Sequence, residues 1–364
     1  MGQEGIAMQK HTEHYFLGTR ITGGFDNLFW EEISDKGFQG YLLKGGPGTG
    51  KSSLMKRIGK AFEDSGRVTY YHCSSDPESL DAVVLWDKRA YICDATAPHV
   101  MDCRYPGVTE RIVDLGRFWD EGVLGAFSAD VISAADRNLA LQRAAGRIQQ
   151  SLTVSCKAVS DAASECCNEK KLKAFSKRLA ARLMGGASFG EKGTAVRRQL
   201  TALTEYGCMT FENTAEGFEN VIVLSDSRFY AAARLCELLE AEALSRGLDV
   251  ISCPSAALDN ARTEHVLIPS LGIAVLSDTP LTLLSGGGTR IDLDGFYDRR
   301  LLEENRDILT LEKRLISERS ERLYETMSAA KAVHDELEKY YIKAMDFKGV
   351  GEVCEELMES LGGN

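Results

Sequence analysis

The chain has 364 residues, 44% of them hydrophobic and 27% charged, with a formal net charge of −11. That composition belongs to an ordinary globular protein long enough for two domains, and its acidic balance argues against nonspecific nucleic-acid binding by the whole surface. The ten cysteines show no CxxC pair and no His/Cys cluster at metal-site spacing, so reduced thiols packed as small apolar residues are expected.

Met1–Phe16 is polar and lacks the apolar core of a signal peptide. No apolar run approaches the length of a membrane span, and the expected location is the cytoplasm. Tyr41-Leu42-Leu43 then reads as a buried strand over 40–44. It runs straight into Gly45, Gly46, Pro47, Gly48, Thr49, Gly50, Lys51 and Ser52. This stretch fits G-x-x-x-x-G-K-[ST], the pattern of a phosphate-binding P-loop. Such a loop turns its backbone N–H groups inward around phosphate oxygens, and glycine permits that close approach. Lys51 is expected to reach the β- and γ-phosphates and the Ser52 hydroxyl to sit on Mg²⁺. Ser53 is counted with the nucleotide-binding residues. Leu54, Ile58, Ala61 and Phe62 form one face of a helix over 51–64, which Gly66 ends. A glycine-rich turn with an incidental lysine is the plain alternative. Against it stands the strand, loop and helix order, which aims a helix N-terminus at the anion. The expected ligand is ATP with Mg²⁺.

Strands follow over 68–73 and, after a short turn from Pro77, over 90–94. Strand and helix alternation predicts a mostly parallel sheet with helices on both faces. Asp94 ends the apolar run Ala90-Tyr91-Ile92-Cys93, so it is assigned the second magnesium anchor and, with Lys51, the catalytic role; a turn aspartate is the alternative. Ala95-Thr96 follows where many ATPases place a catalytic glutamate, so the water-activating base stays unassigned. Candidates lie in the exit of the second strand, His72–Asp81. Asp76 reads as a helix N-cap with Pro77 in the first turn, leaving Glu78, Asp81 and His99 open as water-orienting groups.

The chain also repeats itself. Gly24 matches Gly207, Tyr41-Leu42-Leu43 matches Ile222-Val223-Leu224, and Gly66 matches Gly247. Ala90–Thr96 matches Ile273–Thr279, and Arg111–Asp120 echoes Arg290–Asp298. A tandem duplication is therefore expected. In the second copy the P-loop faces Asp226–Ala233, with Ala232 and Ala233 in place of Lys51 and Ser52, and Asp226 sets a carboxylate where phosphate belongs. The second site is expected to be dead. The domain reading is a P-loop core over 14–120, a helical arm over 121–184, a linker with basic residues over 185–198, a degenerate core over 199–298 and a second helical arm over 299–362.

In that last arm Leu302, Leu309, Ile316, Leu323, Ala330 and Leu337 recur at sevens. The seam fits packing within the chain or a homodimer through the helical arms. Residues 170–198 are basic: Lys170, Lys171, Lys173, Lys177, Arg178, Arg182, Lys192, Arg197 and Arg198, against Glu191 among acids after Lys170. A solvated arm neutralised by the Glu-rich C-terminal helices is preferred to a nucleic-acid or headgroup contact.

The runs Leu42–Gly59, His72–Asp81, Asp94–Val100 and Ala330–Tyr341 together resemble a largely uncharacterised bacterial family of tandem P-loop ATPase-like proteins, from His14 to the tail. The resemblance implies tandem P-loop NTPase-like sheets, ATP binding and hydrolysis, and names no substrate or partner. Members look as though both halves carry a P-loop; here only Gly45–Ser52 survives. The expected function is Mg-dependent ATP hydrolysis at one site, the second half acting as a pseudo-NTPase, with an unidentified protein partner. Two alternatives stand beside it: a small-molecule kinase with Arg104, Arg111 and Arg117 as phosphate clamps, and a non-hydrolysing, ATP-gated binding module. No N-K-x-D guanine signature occurs.

Overall fold

The computed structural model describes residues 12–33, 37–97 and 100–362. The first repeat supplies β1 (Thr12–Phe16), β2 (Gly18–Ile21), β3 (Gly24–Asn27), α1 (Phe29–Ile33), β4 (Gln39–Lys44), α2 (Lys51–Phe62), β5 (Val68–His72), β6 (Leu80–Leu85), β7 (Ala90–Asp94), β8 (Glu110–Asp114), α3 (Glu121–Ala126), α4 (Ser128–Cys166) and α5 (Glu169–Met184). The second supplies β9 (Ala195–Arg197), β10 (Thr201–Thr204), β11 (Gly207–Thr210), β12 (Asn220–Ser225), α6 (Ala231–Ser245), β13 (Val250–Pro254), β14 (Thr263–Ile268), β15 (Ile273–Asp278), β16 (Thr289–Asp292), α7 (Arg299–Glu304), α8 (Arg306–Ala344) and α9 (Phe347–Gly362).

The two halves match strand for strand, with a 3-10 helix over Glu212–Gly217 standing where the first has α1. Their six-stranded sheets run β1-β5-β6-β7-β4-β8 and β9-β13-β14-β15-β12-β16, the same order with each strand replaced by its counterpart. Each half ends in a helix of 39 residues followed by one of 16. The Gly24–Gly207 match marks the first residues of β3 and β11. Both sheets are α/β sheets flanked by helices and mostly parallel, as expected, but each is mixed by one reversed strand, β6 or its counterpart β14. β6 runs antiparallel to β5 and to β7, while β1-β5, β4-β7 and β4-β8 are parallel. Sequence reading missed β6 because the turn signal at Pro77 drew the eye from Leu80–Leu85. That run is buried along its whole length, which is how a central strand covered on both faces reads.

The chain folds into two compact units, neither of which is a continuous half. One unit comprises 1–17, 33–141 and 329–364; the other comprises 18–32 and 142–328. In the first unit α2 covers the sheet and α9 covers α2: Val350, Val353, Cys354, Leu357 and Leu361 join Leu54, Met55 and Ile58 in one core with Tyr41, Leu43, Val83 and Ile92. The helix that closes this core comes from the end of the chain. In the second unit the covering helix is α5, whose Leu172, Leu179 and Ala180 pack with Leu235, Cys236 and Leu239 of α6. The expected division into consecutive cores and arms is thus replaced by an exchange of arms between repeats.

The sevenfold stripe of α8 is used within the chain. Leu309, Ile316 and Leu323 pack with Ala145, Leu152, Cys156 and Val159 of α4 in the second unit. In the first unit Asn138 of α4 donates to the carbonyl of Ala330 at 2.9 Å, and Phe127 meets Tyr340 with ring centroids 5.4 Å apart. The pairs advance on one helix as they recede on the other, so α4 and α8 run antiparallel, and the seam is spent on α4 instead of a second copy.

The segment 185–198 is more than a linker. It contributes β9, which pairs parallel with β13. Its Arg197 bridges Asp26 at 3.3 Å and Glu31 at 3.1 Å rather than an acid of the C-terminal helices, and of the basic residues before it Lys173 lies 3.6 Å from Glu169. All ten cysteines are free thiols. Among the described residues no helix is long and apolar enough to cross a membrane.

Candidate nucleotide site

β4, which lies between β7 and the edge strand β8, delivers the glycine loop, with Leu42 and Leu43 fully buried behind it. Gly48 and Gly50 take left-handed conformations, φ +69° and +86°, which side-chain-bearing residues rarely adopt. A Cβ at Gly45 would lie 2.7 Å from the Thr49 hydroxyl. That hydroxyl is buried and donates to the Gly46 carbonyl at 2.9 Å, tying the loop across its base.

Lys51 opens α2 and curls back over the loop. Its ammonium donates to the carbonyls of Gly45 at 2.9 Å and Gly46 at 2.8 Å, and sits 3.5 Å from the Asp94 carboxylate. Asp94 arrives there because β7 pairs parallel with β4 in a register that sets it opposite Leu43, just before the loop. Its other oxygen accepts from the Thr96 amide at 2.9 Å. Two residues picked from separate motifs therefore meet in space, one ammonium against one carboxylate. Ser53 is exposed. The Ser52 hydroxyl accepts from the Leu80 amide at 3.0 Å. This bond places the β5–β6 loop beside the glycine loop, at the strand edge where β4, β5 and β7 all end.

Lys44 donates to the carbonyls of Ala95 at 2.6 Å and Met101 at 3.0 Å, holding the chain that leaves β7.

The candidates for a water-orienting group separate. Asp76 caps no helix; it accepts from the Ser79 hydroxyl at 2.9 Å and the Glu78 amide at 3.3 Å, closing the turn that leads into β6. The Pro77 signal was a hairpin. Glu78 is exposed, and His99 lies outside the described residues. Asp81 is 5% exposed and falls where the β5–β6 register slips by one residue, a bulge that re-aims a side chain. Burial first, then the nearby Asp81 carboxylate, push the Cys73 thiol well above its ordinary range. Of the three arginines considered as clamps, Arg104 and Arg111 are exposed, and Arg117 stacks on Phe118 at 4.7 Å.

One residue at the loop was not singled out from the sequence. The Gly48 amide donates to the Glu338 carboxylate of α8 at 3.2 Å. Glu338 lies in the run Ala330–Tyr341 but carries no local signature, since an acid on a helix face is ordinary. A hydrogen bond from His334, outweighing partial burial, holds its carboxyl below the usual range, so it is an anion at neutral pH.

The second unit repeats the construction with other chemistry. α6 begins at Ala231, so the positions of Lys51 and Ser52 fall within Ala231–Ala233. Asp226 is buried, 2% exposed, and accepts from the amides of Ala232 at 3.1 Å and Arg228 at 3.0 Å and from the Tyr297 hydroxyl at 2.9 Å. The helix N-terminus that would face a phosphate faces the chain's own carboxylate.

Compared with protein-family models, with curated proteins and with solved structures, the chain finds no match.

Proposed function

We propose that the chain binds ATP with Mg²⁺ at Gly45–Ser53 and hydrolyses it at that single site, the second repeat serving as a pseudo-NTPase. The observation that carries this reading is the loop as an anion receptor: its Gly48 amide already holds a carboxylate, with the Lys51–Asp94 ion pair at its base. Membership of a tandem P-loop ATPase-like family belongs to the same proposal, supported by the identical topology of the two sheets.

Mg-ATP would supply a transferable γ-phosphoryl group whose charge the site must balance. The donors fit that task. Lys51 gives the loop a cation that can leave the Gly45 and Gly46 carbonyls for a phosphate oxygen, and the left-handed glycines let the amides face inward. Ser52 and Asp94 are the hard oxygen ligands a magnesium ion takes. Buried Ala95 supplies no base after Asp94, which favours slow or partner-dependent turnover and gives the non-hydrolysing, ATP-gated module its standing as second reading.

The test is a thermal-shift titration with Mg-ATP. A ligand present at about a hundredfold its Kd stabilises the folded state by about 2.7 kcal/mol, so Tm should rise for the wild type and stay flat for Lys51→Ala. No response of the wild type to any nucleoside triphosphate would sink the reading. Phosphate release into water separates hydrolysis from both alternatives.

A further inference from the structure

The two repeats satisfy the same loop with a carboxylate of the chain itself, and they do so with opposite permanence. Asp226 is 2% exposed and gripped by two amides and a phenol; breaking that contact would strand a buried charge, so it is fixed. Glu338 has 34% of its side chain exposed and takes one loop amide. A charge that can turn to water is released at little cost.

The contact around Glu338 is nonetheless built. A Cβ at Gly48 would lie 3.0 Å from the Glu338 carbonyl oxygen, and one at Gly46 would lie 2.8 Å from the Tyr341 ring. α8 therefore rests directly on the glycines that a phosphate would approach. Two neighbours on α8 hold it in place: His334 lies 3.5 Å from the Glu338 carboxylate, and Lys331 lies 3.5 Å from Asp76 on the loop beside the site. All of these groups lie within the first compact unit.

We propose that the 338–342 turn of α8 is an intramolecular cap on the phosphate loop, with the Glu338 carboxylate standing in for a phosphate until Mg-ATP displaces it. The proposal rests on the ATP-binding reading and adds its regulation. Phosphate and carboxylate compete for the Gly48 amide, so occupancy of the site is coupled to the undocking of α8, and the helical arm becomes the output of nucleotide binding. The apo protein binds ATP more weakly than its loop alone would.

A fluorescent ATP analogue titrated with Mg²⁺ into the full chain tests this. Glu338→Gln keeps the size of the side chain and removes its charge; Glu338→Ala removes both. Each is expected to bind about tenfold more tightly than wild type, the scale of one charge-assisted hydrogen bond. Saturating Mg-ATP is expected to speed amide hydrogen exchange across 334–344 in the wild type. If the wild type binds, both variants bind within about twofold of it and exchange across 334–344 is unchanged, the cap is overturned while the ATP site stands. If neither the wild type nor either variant binds, the ATP reading falls and the cap falls with it.

Discussion

At the scale of single residues, the buried acids set the sharpest expectation. Glu264 and Asp81 occupy the same place in their repeats, each where the hairpin register slips. Glu264 is 3% exposed, accepts from the Thr282 hydroxyl at 2.7 Å, and is pushed by burial up to about 7. Its neighbour His265 is fully buried, accepts from the Ser277 amide at 3.0 Å and bonds the Thr201 hydroxyl at 2.8 Å; burial lowers it to about 3. The signs are opposite. A carboxyl raised in the folded state stabilises below its unfolded value, near 4.3, and loses that contribution as pH rises to about 7. Glu264→Gln should therefore stabilise the fold at pH 8, by an amount on the order of 2 kcal/mol, and so raise Tm there, while changing it little at pH 4.5. A scan of Tm against pH for both proteins checks this; equal shifts at both pH values would refute it. His265, with its value depressed, costs stability as pH falls below its unfolded value, about 6.5. At this scale the meeting of the glycine loop with Asp94 was legible, because a glycine run after a strand and an acid at the end of a neighbouring strand both leave a local mark in the sequence. Glu338 was not, because nothing in a helix face says what rests against it.

At the scale of elements, α4 and α8 carry the clearest signal and the clearest surprise. The stripe at sevens was visible in α8, and α4 carries its own at Ala145, Leu152, Val159 and Cys166, all buried. Their antiparallel pairing makes the seam a closed core, so its residues should behave as core. Leu323 is fully buried among Leu152, Cys156 and Ile316. Leu323→Ala should cost about 3 kcal/mol in denaturant unfolding, with no gain of dimer on sizing; a loss under about 0.5 kcal/mol would mean that the seam is loosely packed. The β-strands divided differently. Those entered from a helix or ending on chemistry were readable within a residue or two, as for 90–94. β6 was hidden by its own acid: Asp81 read as a loop residue, and the bulge that buries it leaves no mark in sequence spacing.

At the scale of the whole molecule, which helix covers which core was invisible in the sequence. The hydrophobic faces of α5 and α9 say that each must be buried, and neither says against what. The structure gives α9 to the core that holds Gly45–Ser52 and α5 to the core built on α6. Cutting the chain between the repeats, near Gly190, should therefore leave two fragments that each lack a helix from their own core. Each expressed alone is expected to be insoluble, since α2 or α6 would expose its apolar face. Expressed together they should co-purify as a complex that still responds to Mg-ATP. Two well-folded, independently soluble halves would overturn the exchange.

The equal helices of 39 and 16 residues at the ends of both repeats have a consequence for a repeat taken by itself. A lone repeat could not wrap its own core with its own terminal helix in this way; it would need a sister chain to lend one. Two copies of one repeat lending each other these helices would close both cores, and the single chain holds that reciprocal arrangement within itself. The second repeat therefore has a structural use whatever its own loop binds: it lends α9 to one core and receives α5 in the other.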